Sequence, residues 1–413
     1  MLTAIKHQNA STLPFDNHLL DRLMDEAHID VALTTSKHNV QYLLGGHRTF
    51  FFDHMEAMGP SRYLPVLAYP RGAPEQASYV GHGSERFQHV LNPFWTPEVY
   101  TGPADSAVSM QKTIDHLRKL GLKPRRIGVE FPFLPADAAM LLQQSFPDAE
   151  IVDSLLVLER LRARKTPDEL LKLRLATDLV VDSMLAVIEG HGPGVSKQEI
   201  VDALRREETN RGLVFEYCLI TAGQSLNRAP SPQKWQNGEI MSIDSGGNYH
   251  GYIGDICRMA IQGEPDAELE DILSEIETTQ RAAMNAIKPG AIGAEVYEAG
   301  LQVVNKSRYS DHIDFLVHGI GLVSHESPRL TNRTRDPYKP EDARCPLESR
   351  MVLSVETTLQ HPRRGFIKLE DTVEVTEIGH EVYGDRAHGW RATDRLSRPP
   401  SGQSLPSPQR SRT

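Results

Sequence analysis

Two histidines seven residues apart, His318 and His325, bracket the stretch HGIGLVSHESP. Imidazole ligates metals and moves protons near neutral pH. The glycines and Pro328 argue against a regular helix across the segment, so a strand end and loop must carry the rings. What the rings do depends on the acids that meet them. Two segments offer acids. In MSIDSGGNYHGYIGDICRMAI (241–261), Asp244 and Asp255 lie in apolar runs on either side of the turn-like NYHG, 248–251. A hairpin folded there sets Asp244 roughly opposite Asp255. In MVLSVETTLQHPRRGFIKLEDTVEVTE (351–377), Glu356 and Glu370 occupy two β-rich runs about the turn 361–365, and folding there makes them face each other. Opposed residues of antiparallel strands have Cβ atoms about 4.5–5.5 Å apart.

Acids facing in this way destabilise a sheet unless a cation lies between them. Four carboxylates and one imidazole could hold two divalent ions about 3.5–4 Å apart. Oxygen-rich donors with one imidazole suit Mn²⁺, Fe²⁺, Co²⁺ or Zn²⁺, and affinity order alone does not choose among them. Taken singly, each residue has a plainer reading: an Asp beside glycine as a turn residue, a strand Glu as a solvated face, a His beside glycine as a loop residue. Two hairpins with facing acids and a His-Gly segment together outweigh those readings.

The elements that must position these residues fall into two parts. Up to about residue 160 strand-like runs (29–35, 126–130, 149–154) alternate with a helical one (135–146), which predicts an α/β domain. Thr166-Pro167-Asp168-Glu169 then opens a long helix through a capping box with Pro at its first position. From there to about 390 the spacing predicts amphipathic helices mixed with glycine-bounded strands. An internal echo runs through this part. PGVSKQEIVDAL, with Pro193-Gly194 and Glu199-Ile200, repeats as PGAIGAEVYEAG, with Pro289-Gly290 and Glu295-Val296, and implies a pseudo-duplicated α+β domain. The tail from Arg391 is rich in Ser, Pro and Arg and is expected to be disordered. The expected division is 1–160, 161–390 and a tail 391–413.

Composition limits the function. The 413-residue chain is 39% hydrophobic and 24% charged, an ordinary globular balance. A formal charge of −10 disfavours nucleic acid as a partner. No apolar run reaches the roughly 18 residues of a membrane span. The N-terminus has no apolar signal region, and three cysteines without CxxC spacing fit a reducing cytoplasm.

These motifs resemble the M24 metallopeptidase family of the pita-bread fold, which includes methionine aminopeptidase, aminopeptidase P, prolidase and creatinase. IDSGGNYHGYIGDICR is similar to its two-aspartate hairpin, HGIGLVSHESP to its histidine segment, and SVETTL with KLEDTVEVTEIG to its two glutamates. The resemblance covers about 20–390. It implies an α+β chain: a C-terminal pita-bread catalytic domain preceded by a smaller creatinase-type α/β domain. It implies Asp244, Asp255, His318, Glu356 and Glu370 as ligands of two divalent ions, Mn²⁺ first among them. His325 would not ligate but would hydrogen-bond the carbonyl oxygen under attack, the glycines letting the backbone pass close to the metals. Glu356 would also take the proton of the attacking water. Two departures are expected to act on substrate handling: Asn227 where relatives carry histidine, and Lys368 where they often carry arginine. The implied function is hydrolysis of a small amide or peptide bond of the Xaa-Pro type, in a cytoplasmic homodimer. A creatinase-type or ectoine-hydrolase-type C–N hydrolase, and a non-catalytic binding protein of the same fold, are the alternatives. The segment 42–65, with three successive phenylalanines and Asp53, His54 and Glu56, is expected to be a buried strand edge, a dimer contact or a loop closing a neighbouring subunit's site.

Overall fold

A computed structural model of the chain describes residues 13–49, 63–103, 105–331 and 341–392. Its first part is a three-layer α/β unit. In chain order it holds α1 (Asn17–Glu26), β1 (Val31–Thr34), α2 (Lys37–Leu43), β2 (Val66–Pro70), β3 (Ser78–Gly81), α3 (Gln88–Leu91), β4 (Glu98–Thr101), α4 (Ser106–Lys119), β5 (Arg126–Val129), α5 (Ala136–Ser145), β6 (Glu150–Asp153) and α6 (Leu155–Ala163). The strands form one mixed sheet in the order β4-β3-β2-β1-β5-β6. Period-two alternation divides their side chains between two cores. Ala32, Leu67 and Tyr69 pack with α1, α2 and α6 on one face. Val31, Leu33, Val66 and Ala68 pack with α4 and α5 on the other. A sheet covered on both faces needs apolar residues at successive positions, which is why VALT is buried throughout.

The second part opens with α7 (Pro167–Gly190). The capping box forms: Glu169 N–H donates to Thr166 Oγ1 at 3.3 Å, and Thr166 N–H donates to Glu169 Oε2 at 2.6 Å. There follow α8 (Lys197–Asn210), β7 (Val214–Ala222), β8 (Ile240–Tyr249), β9 (Tyr252–Ile261), α9 (Ala267–Ala286), α10 (Gly293–Val304), β10 (Ile313–Gly319), β11 (Glu326–Arg329), β12 (Val352–His361), β13 (Gly365–Val375), β14 (His380–Tyr383) and β15 (Arg391–Ala392). The main sheet path is β11-β10-β12-β13-β9-β8-β7, with β14 on β13 and β15 on β9.

The sequence echo is a structural repeat. α7, α8, β7 and the hairpin β8–β9 correspond to α9, α10, β10 and the hairpin β12–β13. The two PG turns even hold the same contacts. Gly194 N–H donates to the Trp235 carbonyl and Trp235 N–H returns to Val195; Gly290 N–H donates to the Leu347 carbonyl and Leu347 N–H returns to Ala291. Each half has its own core, one from α7 and α8, the other from α9 and α10. The halves join where Glu370 of β13 pairs with Cys257 of β9.

The two parts also meet through buried charge. Glu326, at the start of β11, accepts from Arg162 Nη2 at 2.9 Å and from Lys165 Nζ at 2.9 Å, and all three side chains are buried. Arg162 in turn donates to Asn39 Oδ1 in α2. Phenylalanines 50–52, Asp53, His54 and Glu56, and the tail beyond 392, lie outside the described residues.

Candidate metal centre

The hairpin turns decide which acids meet. β12 and β13 pair Glu356 directly with Glu370. In the other hairpin the loop is only His250-Gly251, with φ of 51° and 98°, the positive pair that a tight hairpin turn requires. Its register pairs Asp244 with Cys257 and Asp255 with Gly246. The expectation that Asp244 stands opposite Asp255 is therefore corrected: they are diagonal neighbours, one pleat apart on the same face. One register row now crosses four strands as Glu356, Glu370, Cys257 and Asp244. Asp255, two residues before Cys257, shares its face. β10 adds His318, diagonal to Glu356 because Leu316 pairs with Glu356 and His318 with Ser354.

Ligating atoms of Asp244, Asp255 and Glu370 lie within 4.8 Å of one another, as do those of His318, His325 and Glu356. His318 is fully buried, and its ring stacks on His325 with centroids 3.7 Å apart and planes at 16°. His325, Asp244, Asp255, Glu356 and Glu370 line a cavity of about 690 Å³, together with Phe366, Tyr297 and others. The glycines of HGIGLVSHESP make room for neighbouring parts of the chain. A Cβ on Gly319 would meet the Ser327 carbonyl at 2.4 Å, and one on Gly321 would meet Glu326 Oε1 at 2.3 Å.

Crowding these acids away from water shifts their proton affinities. Burial, then the charges of Glu370 and Asp244, raise the Asp255 carboxyl well above the usual range. Burial pushes Glu370 up to about 7, with Glu356 and Asp244 adding to it and Lys368 opposing. Burial opposes ionisation of Glu356 too, but Lys368 and His318 beside it hold it below the usual range. Burial, then His318, lowers His325 to about 3, so its imidazole is neutral at pH 7.

Lys368 lines the cavity, as a substrate contact would, but the acids hold its amine. It lies two residues before Glu370 on the same face of β13, and its Nζ sits 2.7 Å from Asp244 Oδ2, 2.5 Å from Glu356 Oε2 and 2.8 Å from Glu370 Oε2. It touches the acids themselves. Asn227 also departs from expectation. It is exposed, its Oδ1 accepts from Ala229 N–H in a local turn, and it does not line the cavity. Its neighbour Arg228 does, donating to Asp244 and lying over the Phe366 ring with its Cζ 4.9 Å from the centroid. Sequence reasoning missed Arg228 and Tyr217. The signal for Tyr217 was Gly246: a Cβ there would meet the Tyr217 ring at 2.4 Å, so the glycine makes room for the phenol.

Donor chemistry fits a divalent ion. Asp255 Oδ1 and His318 Nε2 are buried without a hydrogen-bond partner among the described residues, His318 Nε2 standing 3.3 Å from Glu356 Oε1. Such orphaned atoms are rare unless something binds them. Glu370 is oriented toward the cluster by Ser354 Oγ, which donates to its other oxygen at 2.7 Å. A buried carboxylate–imidazole cluster on this sheet defines a metallohydrolase. The chain belongs to metallopeptidase family M24, whose sequence profile matches residues 171–377; residues 18–164 match the creatinase/prolidase N-terminal domain. It is thus a metal-dependent peptidase of the pita-bread fold, and the non-peptidase and non-catalytic readings are not favoured. An uncharacterized peptidase of Bacillus subtilis is 25% identical over 88% of this chain and 96% of its own length. An Xaa-Pro dipeptidase of Lactobacillus delbrueckii subsp. lactis is 24% identical, again over 88% and 96%. Among solved structures, a prolidase from Thermococcus sibiricus superposes with a TM-score of 0.78 at 18% identity, covering 93% of this chain and all of that one. An Xaa-Pro dipeptidase from Bacillus anthracis superposes with a TM-score of 0.75 at 22% identity, covering 91% and 98%.

Proposed function

We propose that this protein hydrolyses Xaa-Pro dipeptides, as a cytoplasmic homodimeric enzyme with two positions for divalent ions, Mn²⁺ foremost. The carrying observation is the two groups of candidate ligands, Asp244, Asp255 and Glu370 and, with His325, His318 and Glu356, beside one cavity. The Xaa-Pro dipeptidases among the relatives support the substrate class, and the free cysteines support a reducing compartment. When bound, divalent ions supply Lewis acidity and lower the pKa of water. The side chains do the rest. Glu356, kept ionised, accepts the proton of the attacking water and passes it to the leaving nitrogen. His325, neutral and at the cavity wall, donates a hydrogen bond to the carbonyl oxygen as charge develops on it. Phe366 offers an apolar face to a proline ring, and Arg228 above it offers a cation to the dipeptide carboxylate.

The test is a panel of Xaa-Pro and Xaa-Ala dipeptides with guanidino amides, assayed after Mn²⁺ loading and again after chelation. Cleavage of Xaa-Pro with kcat of about 1–10 s⁻¹ or more, lost on chelation, is expected. Rates on Xaa-Pro no better than on the guanidino amides would overturn the assignment.

A further inference from the structure

His325 reaches the cavity from the end of the loop between β10 and β11, and its main chain is held from the other part of the molecule. The His325 carbonyl accepts from Arg329 Nη2 at 3.1 Å. The same nitrogen donates to Glu159 Oε1 at 2.9 Å, and Arg329 Nη1 donates to Glu159 Oε2. Glu159 belongs to α6, the helix that leads from the first part of the chain into the second, and its side chain is 6% exposed. A guanidinium suits this place because its planar fork holds both carboxylate oxygens and still turns an N–H toward a third acceptor.

Arg329 stands beside both histidines. β10 pairs Gly319 with Glu326 and His318 with Arg329, so β11 advances three residues against one and bends. The backbone of Arg329 therefore lies across from His318, whose ring stacks on His325, while its guanidinium holds the His325 carbonyl. The strand has other anchors. Glu326 is held by Arg162 and Lys165, and Asp342 Oδ2 accepts from Ser327 Oγ at 2.5 Å and from Arg329 N–H at 3.1 Å. What the guanidinium adds is a hold on one main-chain oxygen, that of the residue which faces the reacting carbonyl.

We infer that Arg329 is a positioning residue for His325 and that Glu159 of α6 holds it there, so that the seating of the first part of the chain on the catalytic part sets where the imidazole donates. The inference rests on the role given to His325 above and adds the residues that place it. A catalytic group misplaced by about 1 Å can lose on the order of 10²-fold in rate.

A double-variant cycle on the full-length protein tests it. Arg329→Met, His325→Ala and the double variant are loaded with Mn²⁺ and assayed on an Xaa-Pro dipeptide, with urea midpoints to establish that each is folded. Arg329→Met is expected to lower kcat about 10–100-fold with KM within about twofold of wild type. With His325 already alanine, the same change should alter kcat less than about twofold. Arg329→Lys keeps the charge without the fork and should lie close to Arg329→Met. No loss in Arg329→Met, or an equal loss in the His325→Ala background, overturns the inference. Imidazole NMR of the chelated protein reads the placement without turnover. The His325 ring resonance, assigned by its absence from His325→Ala, should move in Arg329→Met and in Glu159→Gln, with the change confined to His325 and the stacked His318. An unmoved resonance overturns the inference as well. If the loaded wild type cleaves no Xaa-Pro dipeptide, the substrate reading above fails and the resonance alone decides the positioning. If Arg329→Met does not fold, Arg329→Lys carries the same cycle.

Discussion

Removing the charge of Glu326 should destabilise the protein more than any surface change. Glu326 is fully buried, with Arg162 at 2.9 Å on one oxygen and Lys165 at 2.9 Å on the other, both themselves nearly inaccessible. In Glu326→Gln the shape is kept, but two buried cations lose their shared anion. Breaking a buried pair by removing one partner costs about 3–5 kcal/mol, a fifth or more of the roughly 5–15 kcal/mol that holds most folds together. Lys165→Met leaves the Arg162–Glu326 pair in place, so its cost should be smaller. Glu326→Gln with Lys165→Met should cost less than the two single changes summed, by about 1–3 kcal/mol, because the second change removes a cation the first had stranded. The pH dependence has a defined sign. Burial disfavours the Glu326 carboxylate, but Lys165 and Arg162 outweigh it and its folded pKa falls below the usual value. A lowered carboxyl pKa contributes stability above the unfolded pKa of about 4.3 and loses it as pH falls through the folded value. The gap between wild type and Glu326→Gln should therefore be full at pH 7 and shrink in acid below about pH 4. Urea unfolding followed by tryptophan fluorescence and far-ultraviolet dichroism reads each difference. A Glu326→Gln protein within about 1 kcal/mol of wild type at pH 7, or a double variant as costly as the sum, would refute the argument that this triad is desolvated and interdependent.

Two further changes test the support of the site. Burial raises the Glu208 carboxyl to about 7, and Ser245 Oγ lies 2.9 Å from Glu208 Oε1 and 2.7 Å from the Tyr217 carbonyl. A hydroxyl has one proton to give, so with the Tyr217 carbonyl taking it, Glu208 must bring its own. A raised carboxyl pKa leaves stability whole below the unfolded value and erodes it as pH rises to about 7, a loss of up to roughly 3 kcal/mol. Glu208→Gln should match wild type near pH 4 and unfold at higher urea at pH 8; equal midpoints at pH 8 would contradict the shift. Gly254→Ala would place its Cβ 2.5 Å from the Ala176 carbonyl carbon and Thr177 nitrogen of α7, which side-chain rotation cannot relieve. It should cost about 1–3 kcal/mol or more, against little for Gly379→Ala, where no atom lies within 4 Å. Equal urea midpoints for the two variants would show that β9 and α7 part readily.

Much of this protein is local and was legible. The turn at 361–365 lies midway between Glu356 and Glu370, so the fold of one hairpin alone opposes them. The capping box at Thr166 and the repeated PG turns are likewise short-range chemistry, and they mark where the catalytic unit starts and how it doubles. The turn centres on His250-Gly251, one residue beyond the middle of 248–251, and this shifted the partner of Asp244 by two residues, because antiparallel register follows the position of the turn. The tertiary structure alone decided what the long polar side chains reach. Asn227 and Arg228 are adjacent, yet one is spent on a surface turn and the other faces the cavity. The sequence marks Lys368 only as standing where relatives often carry arginine; the joining of β13 to β9 and β8 is what brings it to Asp244, 124 residues away. Residue type and spacing determine which face of a strand a group occupies, since the pleat repeats every two residues. Which charges then share that face across strands depends on sheet order, which no local pattern encodes.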